Sequence, residues 1–131
     1  GKKFEYLAEK QLSYKDLETL PVMCLEGNTS TRAYVEGFLR ENGVHLQPEF
    51  ELATSDMLIR FAIRGFGIAG VAEDFALEAM EKGEIFRLHF DREIPKRHFC
   101  IVTDEKVPMT AAARRFLDLL EDKCTSDKNK T

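Results

Sequence analysis

Short apolar runs alternate with amphipathic segments along most of this chain. Residues 22–25 are apolar without interruption, which is typical of a strand buried on both faces of a sheet. Residues 27–30 then supply turn residues and helix N-cap residues, and apolar side chains recur at helical spacing over residues 31–42. Gly43 follows at a position where helices commonly end. This stretch predicts a strand, a polar loop and a helix in direct succession.

The same order of elements recurs downstream. A strand is predicted over residues 50–52, a helix over residues 55–64 and a buried strand over residues 68–71. Another helix is predicted over residues 73–82, because Gly83 supplies its stop signal. Repeated strand and helix units with short loops predict the fold class α/β, with an open, Rossmann-like, mostly parallel sheet flanked by helices.

The two ends of the chain carry weaker patterns. Residues 1–12 show no clear periodicity, and we expect them to form an extended approach to the domain. Residues 85–90 alternate as an edge strand does, and a further apolar run predicts a strand over residues 98–102. A wide apolar stripe predicts a last helix over residues 109–121, and we expect residues 125–131 to form a flexible polar tail.

Helical spacing also predicts which side chains enter the core. In the helix over residues 73–82 these are Phe75, Ala76, Ala79 and Met80. In the preceding helix, the predicted apolar face contains Met57, Leu58, Phe61, Ala62 and Gly65.

The composition is that of a folded domain. With 131 residues and 44% hydrophobic content, the chain can bury a core as one domain. Its formal net charge is -4, and its Lys and Arg residues are scattered, so we expect no nucleic-acid binding by this chain alone. It has no run of 18 apolar residues and no secretion-signal pattern, so we expect no membrane partner and a cytoplasmic location. Gly1 followed by two lysines resembles a cut made inside a longer protein.

No pattern of catalytic or metal-binding residues emerges. Cys24, Cys100 and Cys124 are odd in number and lack CxxC spacing, and we expect the first two to be buried thiols. The histidines lie in predicted loops or edge strands, and the acidic residues are scattered through predicted helices as on a solvated face. The sequence therefore predicts no catalytic residue, no metal and no cofactor.

A dinucleotide-binding fingerprint is present in letters but not in context. Residues 65–70 read GFGIAG and match GxGxxG. The fingerprint requires a strand before the glycines and a helix after them, because the pyrophosphate sits on the helix N-terminus. Here the predicted helix precedes the glycines and the predicted strand follows them. We therefore expect no NAD binding at this motif.

Polar residues follow the first two buried strands, at the points where helices begin. The candidate ligand-binding residues are Thr29, Ser30, Thr31, Arg32, Thr54 and Ser55. A helix N-terminus offers unpaired backbone N–H groups and the positive end of the helix dipole, and ligands of open α/β sheets bind beyond the carboxyl ends of strands. The pattern predicts a site for a carboxylate or another small anion. The alternative is that the hydroxyls only cap the helices.

Three segments carry a resemblance to a known family. They are KDLETLPVMCLEGNTSTRAYVEGFLRENGV at residues 15–44, SDMLIRFAIRGFGIAGVAEDFALEAMEKGEIFRL at residues 55–88 and RHFCIVTDEKVPMTAAARRFLDLL at residues 97–120. Together they resemble the effector-binding, or substrate-binding, domain of LysR-type transcriptional regulators. Ala72 stands where this family usually has proline, which concerns the loop after Val71 and not the fold.

The resemblance implies more than the residue patterns alone. It implies a type 2 periplasmic-binding-protein fold, in which residues 1–124 form part of an effector-binding domain: the second lobe plus a returning strand and helix. The DNA-binding domain and the first half of the sensing domain would be absent. It also implies a small-molecule effector, self-association of the sensing domains, and contact with DNA only through the missing winged-helix domain. Oxidant-sensing members have cysteine in the loop occupied here by Thr29–Thr31, so we expect no peroxide sensing.

Two other function classes stay open. A solute-binding receptor of a transport system has the same fold, and a winged helix encoded upstream would distinguish a regulator from it. An enzyme on a Rossmann-like sheet would need a catalytic base or metal cluster, and the sequence offers no such group.

Overall fold

A computed structural model describes residues 1–98, 100–104 and 106–128 of the chain. These residues divide into two compact units, Gly1–Lys96 and Arg97–Thr131. In chain order, the strands and α-helices are β1 (Gln11–Leu12), β2 (Val22–Leu25), α1 (Ser30–Glu41), β3 (Phe50–Leu52), α2 (Ser55–Ile63), β4 (Ile68–Ala69), α3 (Glu73–Glu81), β5 (His89–Phe90) and α4 (Ala111–Lys128). The predicted α/β fold with parallel strands is confirmed.

The first unit is built around strand β2. It lies between β3 and β4 in a parallel sheet, with Leu25 opposite Leu52 and Val22 opposite Ile68. A second parallel pair joins β1 to β5. Each crossover from β2 to β3 and from β3 to β4 runs through an α-helix, as parallel neighbours require. The sheet therefore places the carboxyl ends of β2 and β3 at one edge.

Strand β2 is buried on both faces because its side chains alternate between two apolar clusters. Val22 and Cys24 pack in a cluster that is completed by Phe4, Leu7, Leu12 and Ile68. Met23 and Leu25 pack on the opposite face in a cluster with Leu58 and Ala62, which come from α2. This alternation explains why residues 22–25 form an unbroken apolar run and confirms the prediction that Cys24 is buried.

The amino-terminal segment differs from the predicted extended approach. Residues Lys2–Leu7 form a 3-10 helix, and the strand β1 follows it. Phe4 and Leu7 are separated by one turn of such a helix, so both side chains reach the core cluster from the same side. The apolar pair is too short to give a recognisable period, and tertiary burial stabilises the helix instead.

The second unit contains the main correction to the fold. A strand was predicted over residues 98–102, but residues 98 and 100–102 form no strand, and Phe99 lies outside the described residues. Ile101 is 57% exposed, Val102 is 91% exposed, and Cys100 is exposed rather than buried. An apolar run becomes a strand only when a neighbouring strand supplies hydrogen bonds, and within the described part of this unit α4 is the only regular element.

Helix α4 confirms the last predicted helix but has different bounds. It runs from Ala111 to Lys128, so residues 125–128 are helical where a polar tail was predicted. Residues 129–131 of that tail lie outside the described residues. Phe116 and Leu119 on the predicted apolar stripe are 60% and 47% exposed. None of the helices in the described ranges is long and apolar enough to cross a membrane.

Gly43 ends α1 in the left-handed conformation, with a φ of 74°. Replacing Gly43 with alanine should lower the free energy of unfolding by about 1–2 kcal/mol, because a Cβ is disfavoured in this conformation. Gly37 is the matched control, since it lies inside α1 and an added Cβ there meets no atom within 4 Å. Gly37→Ala should raise the free energy of unfolding by about 0.5–1 kcal/mol in urea titrations. Equal stability of the two variants would contradict this account of the helix end.

Candidate functional site

Two loops lie side by side at the carboxyl edge of the sheet. Strands β2 and β3 end opposite each other, with Leu25 paired to Leu52. The backbone N–H of Glu26 donates a hydrogen bond of 3.1 Å to the carbonyl of Leu52, which ties the two loops together. Helix α1 begins at Ser30 and helix α2 at Ser55. The structure therefore brings the two groups of candidate residues to neighbouring helix N-termini.

Thr29 is the N-cap of α1. Its Oγ1 accepts a hydrogen bond of 3.2 Å from the backbone N–H of Arg32 and donates one of 3.0 Å to the carbonyl of Glu26. A hydroxyl has a single proton to donate, so Thr29 can give one to a ligand only by leaving Glu26. Ser30 is exposed and Thr31 is half-buried in the first turn. The capping role is thus established for Thr29, and it does not by itself exclude a ligand.

Helix α2 begins in the same way. Thr54 is its N-cap, and its Oγ1 accepts a hydrogen bond of 3.3 Å from the backbone N–H of Met57. Thr54 is exposed and Ser55 is half-buried. The first turn of α2 contains Asp56, whereas the first turn of α1 contains no acidic residue. An anion would therefore meet a repelling carboxylate at α2 but not within the first turn of α1.

Arg32, one of the predicted ligand-binding residues, is buried. Its side chain is only 7% exposed, and its guanidinium reaches back to the end of β2, where Nη1 donates to the carbonyl of Leu25 at 2.8 Å. Nη1 also contacts Glu51 Oε1 at 3.1 Å, and Nη2 contacts Glu36 Oε1 at 2.6 Å. Its Nε is buried and has no hydrogen-bond partner among the described residues. We define the Arg32 cluster as Arg32, Glu36 and Glu51.

The partners of Arg32 keep its guanidinium charged despite burial. Burial alone would lower the pKa of Arg32, but the hydrogen bond and charge of Glu36 and the hydrogen bond of Glu51 help to raise that pKa, so the guanidinium stays charged. Burial raises the pKa of the Cys24 thiol, although the charge of Arg32 acts in the opposite direction. Cys24 is therefore a neutral thiol near neutral pH.

The sequence contained a signal for only one of the two partners of Arg32. Glu36 lies four residues further along α1, and charged residues at this spacing are neighbours on a helix surface. Glu51 is brought to Arg32 by the pairing of β2 with β3, where it lies opposite Cys24. That contact depends on the strand register and leaves no local pattern in the sequence.

A cavity of about 420 Å³ lies elsewhere in the first unit. It is an open, polar groove lined by Ser13, Tyr14, Lys15, Asn42, Asp91 and Arg92. Asn42 is the C-cap of α1, so the groove adjoins the end of the helix that is opposite to Thr29. A helix of this length extends roughly 18 Å. The groove is therefore separate from the two loops at the strand ends.

The glycines of the GFGIAG segment permit a backbone conformation and a close approach that a side chain would hinder. Gly65 follows α2 with a φ of 75°, and Gly67 precedes β4. A Cβ on Gly67 would lie 2.3 Å from the carbonyl oxygen of Pro21. The helix comes before the glycines and the strand after them, as the sequence predicted. The segment thus lacks the strand, glycine turn and helix order of a dinucleotide site.

Comparisons with known proteins give one finding. A family model described as LysR substrate binding domain matches residues 4–125. A comparison with curated proteins gives no match. The matched range includes both loops at the carboxyl edge, the Arg32 cluster and most of α4.

Proposed function

Because this chain belongs to the LysR substrate-binding-domain family, we propose that it binds a small anionic metabolite and thereby controls a transcriptional regulator. The family has the type 2 periplasmic-binding-protein fold, with which the parallel sheets and flanking helices agree. In this proposal DNA is bound by a winged helix-turn-helix domain outside the present sequence. The chain itself acts as a sensor in the cytoplasm and performs no catalysis.

The observation that carries the proposal is the pair of adjacent helix N-termini. Parallel pairing of β2 with β3 sets Leu25 opposite Leu52, and the Glu26 backbone bonds to Leu52. The ligand would contact the loop Thr29–Arg32 and the helix start Thr54–Ser55. Helices α1 and α2 both direct the positive ends of their dipoles toward this edge, and α1 contributes more to anion binding because the first turn of α2 contains Asp56.

The chemistry of the two loops favours an anion over a neutral ligand. A helix N-terminus stabilises negative charge, and hydrogen bonds to a charged group contribute roughly 1.5–3 kcal/mol each. The α1 terminus carries no acidic residue in its first turn, and the charged guanidinium of Arg32 lies near it, although Glu36 and Glu51 already pair with that guanidinium. Carboxylates and other small oxyanions are therefore the proposed ligand class.

The second candidate function is a solute-binding receptor of a transport system, because the same lobe geometry serves both roles. Genomic sequence upstream distinguishes the two, since a winged helix in the same reading frame identifies a regulator. We further propose that the sensing domains self-associate. Exposed apolar residues on α4, Phe116 and Leu119, offer one surface for such contact.

Removing two hydroxyls at the α1 terminus tests the proposed site. The double variant Thr29→Ala, Ser30→Ala should bind a responsive anion about tenfold more weakly than the wild type, because one charge-assisted hydrogen bond is lost. The measurement is a thermal-shift screen with small mono- and dicarboxylates and sulfate, followed by isothermal titration. Loss of the cap should also lower the free energy of unfolding by about 1 kcal/mol.

Ser13→Ala is the matched control. Ser13 also caps a short helix through its hydroxyl, but it lies in the groove near the far end of α1. The control should lose stability to a similar extent and bind the anion as the wild type does. Unchanged anion binding by the double variant would show that the Thr29 and Ser30 hydroxyls are caps only, and the proposed pocket would be misplaced.

A further inference from the structure

The partners of Arg32 differ greatly in exposure. Arg32 is 7% exposed, Glu36 is 32% exposed and Glu51 is 49% exposed. The shorter contact, 2.6 Å, joins Arg32 to Glu36 within α1, whereas the contact with Glu51 is 3.1 Å and crosses from α1 to β3. Glu51 is thus the partner that can move into water with the least rearrangement, since half of its side chain is already solvated.

The hydrogen bonding of Arg32 is incomplete. Its Nε is buried and makes no hydrogen bond with the described residues. Buried polar groups in folded proteins are nearly always paired, so an unpaired one calls for an explanation such as a ligand or an ordered water. The guanidinium also lies at the carboxyl edge, because Nη1 bonds to the carbonyl of Leu25, the last residue of β2. The guanidinium that carries the unpaired Nε therefore adjoins the proposed ligand site through its Nη1.

The charge balance of the cluster opposes an incoming anion. One guanidinium faces two carboxylates, which leaves one negative charge in excess beside the α1 terminus. An added anion would gain from the helix dipole but would be repelled by the Glu51 carboxylate. This repulsion disappears if the ligand takes the position of Glu51 on Arg32.

We propose that Glu51 is an internal competitor for Arg32, and that the effector is a small carboxylate or comparable oxyanion that replaces Glu51 at Nη1. The inference rests on the proposed function, and it identifies Glu51 as the residue that makes the binding site select anions. An anion that displaces Glu51 keeps the guanidinium paired, whereas a neutral ligand would leave it without a counter-charge at that atom. A ligand must therefore carry a negative charge to compete with Glu51 for Arg32, which excludes neutral analogues of the effector.

The variant Glu51→Gln tests this inference. Glutamine keeps the size of the side chain but removes the competing charge. Titrations with sodium acetate and with sodium sulfate, followed by amide chemical shifts in NMR spectra, should show binding about two- to fivefold tighter than in the wild type. The expected gain in affinity is small because an ion pair that is half exposed to water contributes little free energy. Combining Glu51→Gln with Arg32→Lys should abolish the gain.

Glu49→Gln is the matched control, because it changes the net charge equally. Glu49 is exposed, precedes β3, and forms no ion pair with the described residues. Equal anion affinities of the two glutamine variants would overturn the inference, even if Arg32→Lys failed to fold. Thermal unfolding without anion confirms that each single variant is folded.

The outcomes separate this inference from the proposed function. If Glu51→Gln binds acetate and sulfate as the wild type does while Thr29→Ala, Ser30→Ala weakens them, the anion site stands and the role of Glu51 is refuted. If Glu51→Gln tightens binding and the loop variant does not weaken it, Arg32 alone recognises the anion. If neither the wild type nor Glu51→Gln binds acetate or sulfate, the inference is refuted.

Discussion

Replacing Leu58 with alanine should lower the free energy of unfolding by about 2–5 kcal/mol. Leu58 is completely buried on α2, and it packs with Met23, Leu25 and Ala62 in the cluster between that helix and strand β2. Truncation removes apolar contacts and leaves a cavity, because the flanking β2 strand is held by hydrogen bonds on both sides and cannot close around it. Urea denaturation followed by far-ultraviolet circular dichroism measures the loss.

The neighbouring residue provides the control. Met57 lies one position earlier on the same helix and was predicted on its apolar face, but it is 42% exposed. Met57→Ala should therefore change the free energy of unfolding by less than about 1 kcal/mol, since little buried area is removed. A similar loss of stability in both variants would mean that α2 does not pack against β2 through the face that carries Leu58.

Elements with strong local signals were predictable from the sequence. The β2 strand and helices α1, α2 and α3 have the predicted type and nearly the predicted bounds. The strand is marked by an unbroken apolar run, and each helix by an apolar period and by a cap or a terminal glycine. These signals act within a few residues. The adjacency of the two loops also followed, because neighbouring parallel strands end at the same edge of a sheet.

Elements that depend on distant partners were not predictable. The apolar run at residues 98–102 has the composition of a strand, yet its described residues pair with no strand. Residues 2–7 lack a period but form a 3-10 helix, because Phe4 and Leu7 reach a core cluster assembled from later strands. In both segments the sequence specifies apolar content, and the tertiary environment decides the conformation.

The inward face of α3 shows the limit of period-based assignment. Ala76 and Ala79 are buried as predicted, but Phe75 is 59% exposed. Helix α3 contacts α2, and its small buried residues permit close approach of the two backbones. A small rotation of the whole helix about its axis changes which side chain faces away from the core. A pattern of four apolar positions does not fix the rotation angle of the helix.

At the candidate site, the helix caps were predictable from the sequence, but the ion pairs of Arg32 were not. The capping roles of Thr29 and Thr54 followed from their positions before helices. The contact of Arg32 with a ligand stays a prediction, and the structure shows its side chain paired with Glu36 and Glu51. Its direction depends on a carboxylate from β3, so the sequence identified the charge near the site without revealing what already compensates it.

Gly67→Ala should lower the free energy of unfolding by about 1–3 kcal/mol. The added Cβ would lie 2.3 Å from the carbonyl oxygen of Pro21 and 3.1 Å from Cγ of Met23. The Pro21 carbonyl also accepts a hydrogen bond of 2.9 Å from the backbone N–H of Ile68, so β4 must shift to relieve the overlap. The expected cost therefore arises from the close approach of β4 to β2.

Gly70→Ala separates this packing role from a nucleotide role. A Cβ on Gly70 meets no atom within 4 Å, and Gly70 is exposed. The free energy of unfolding of this variant should therefore lie within about 0.5 kcal/mol of the wild-type value. In a dinucleotide site the glycines would be needed for close approach of the pyrophosphate, and alanine would weaken nucleotide binding more than folding. Urea titrations of both variants, with and without NAD, distinguish the two roles. A purely structural segment that joins α2 to β4 should not bind NAD. The structural role would be contradicted if NAD stabilised the wild type and either substitution removed that stabilisation.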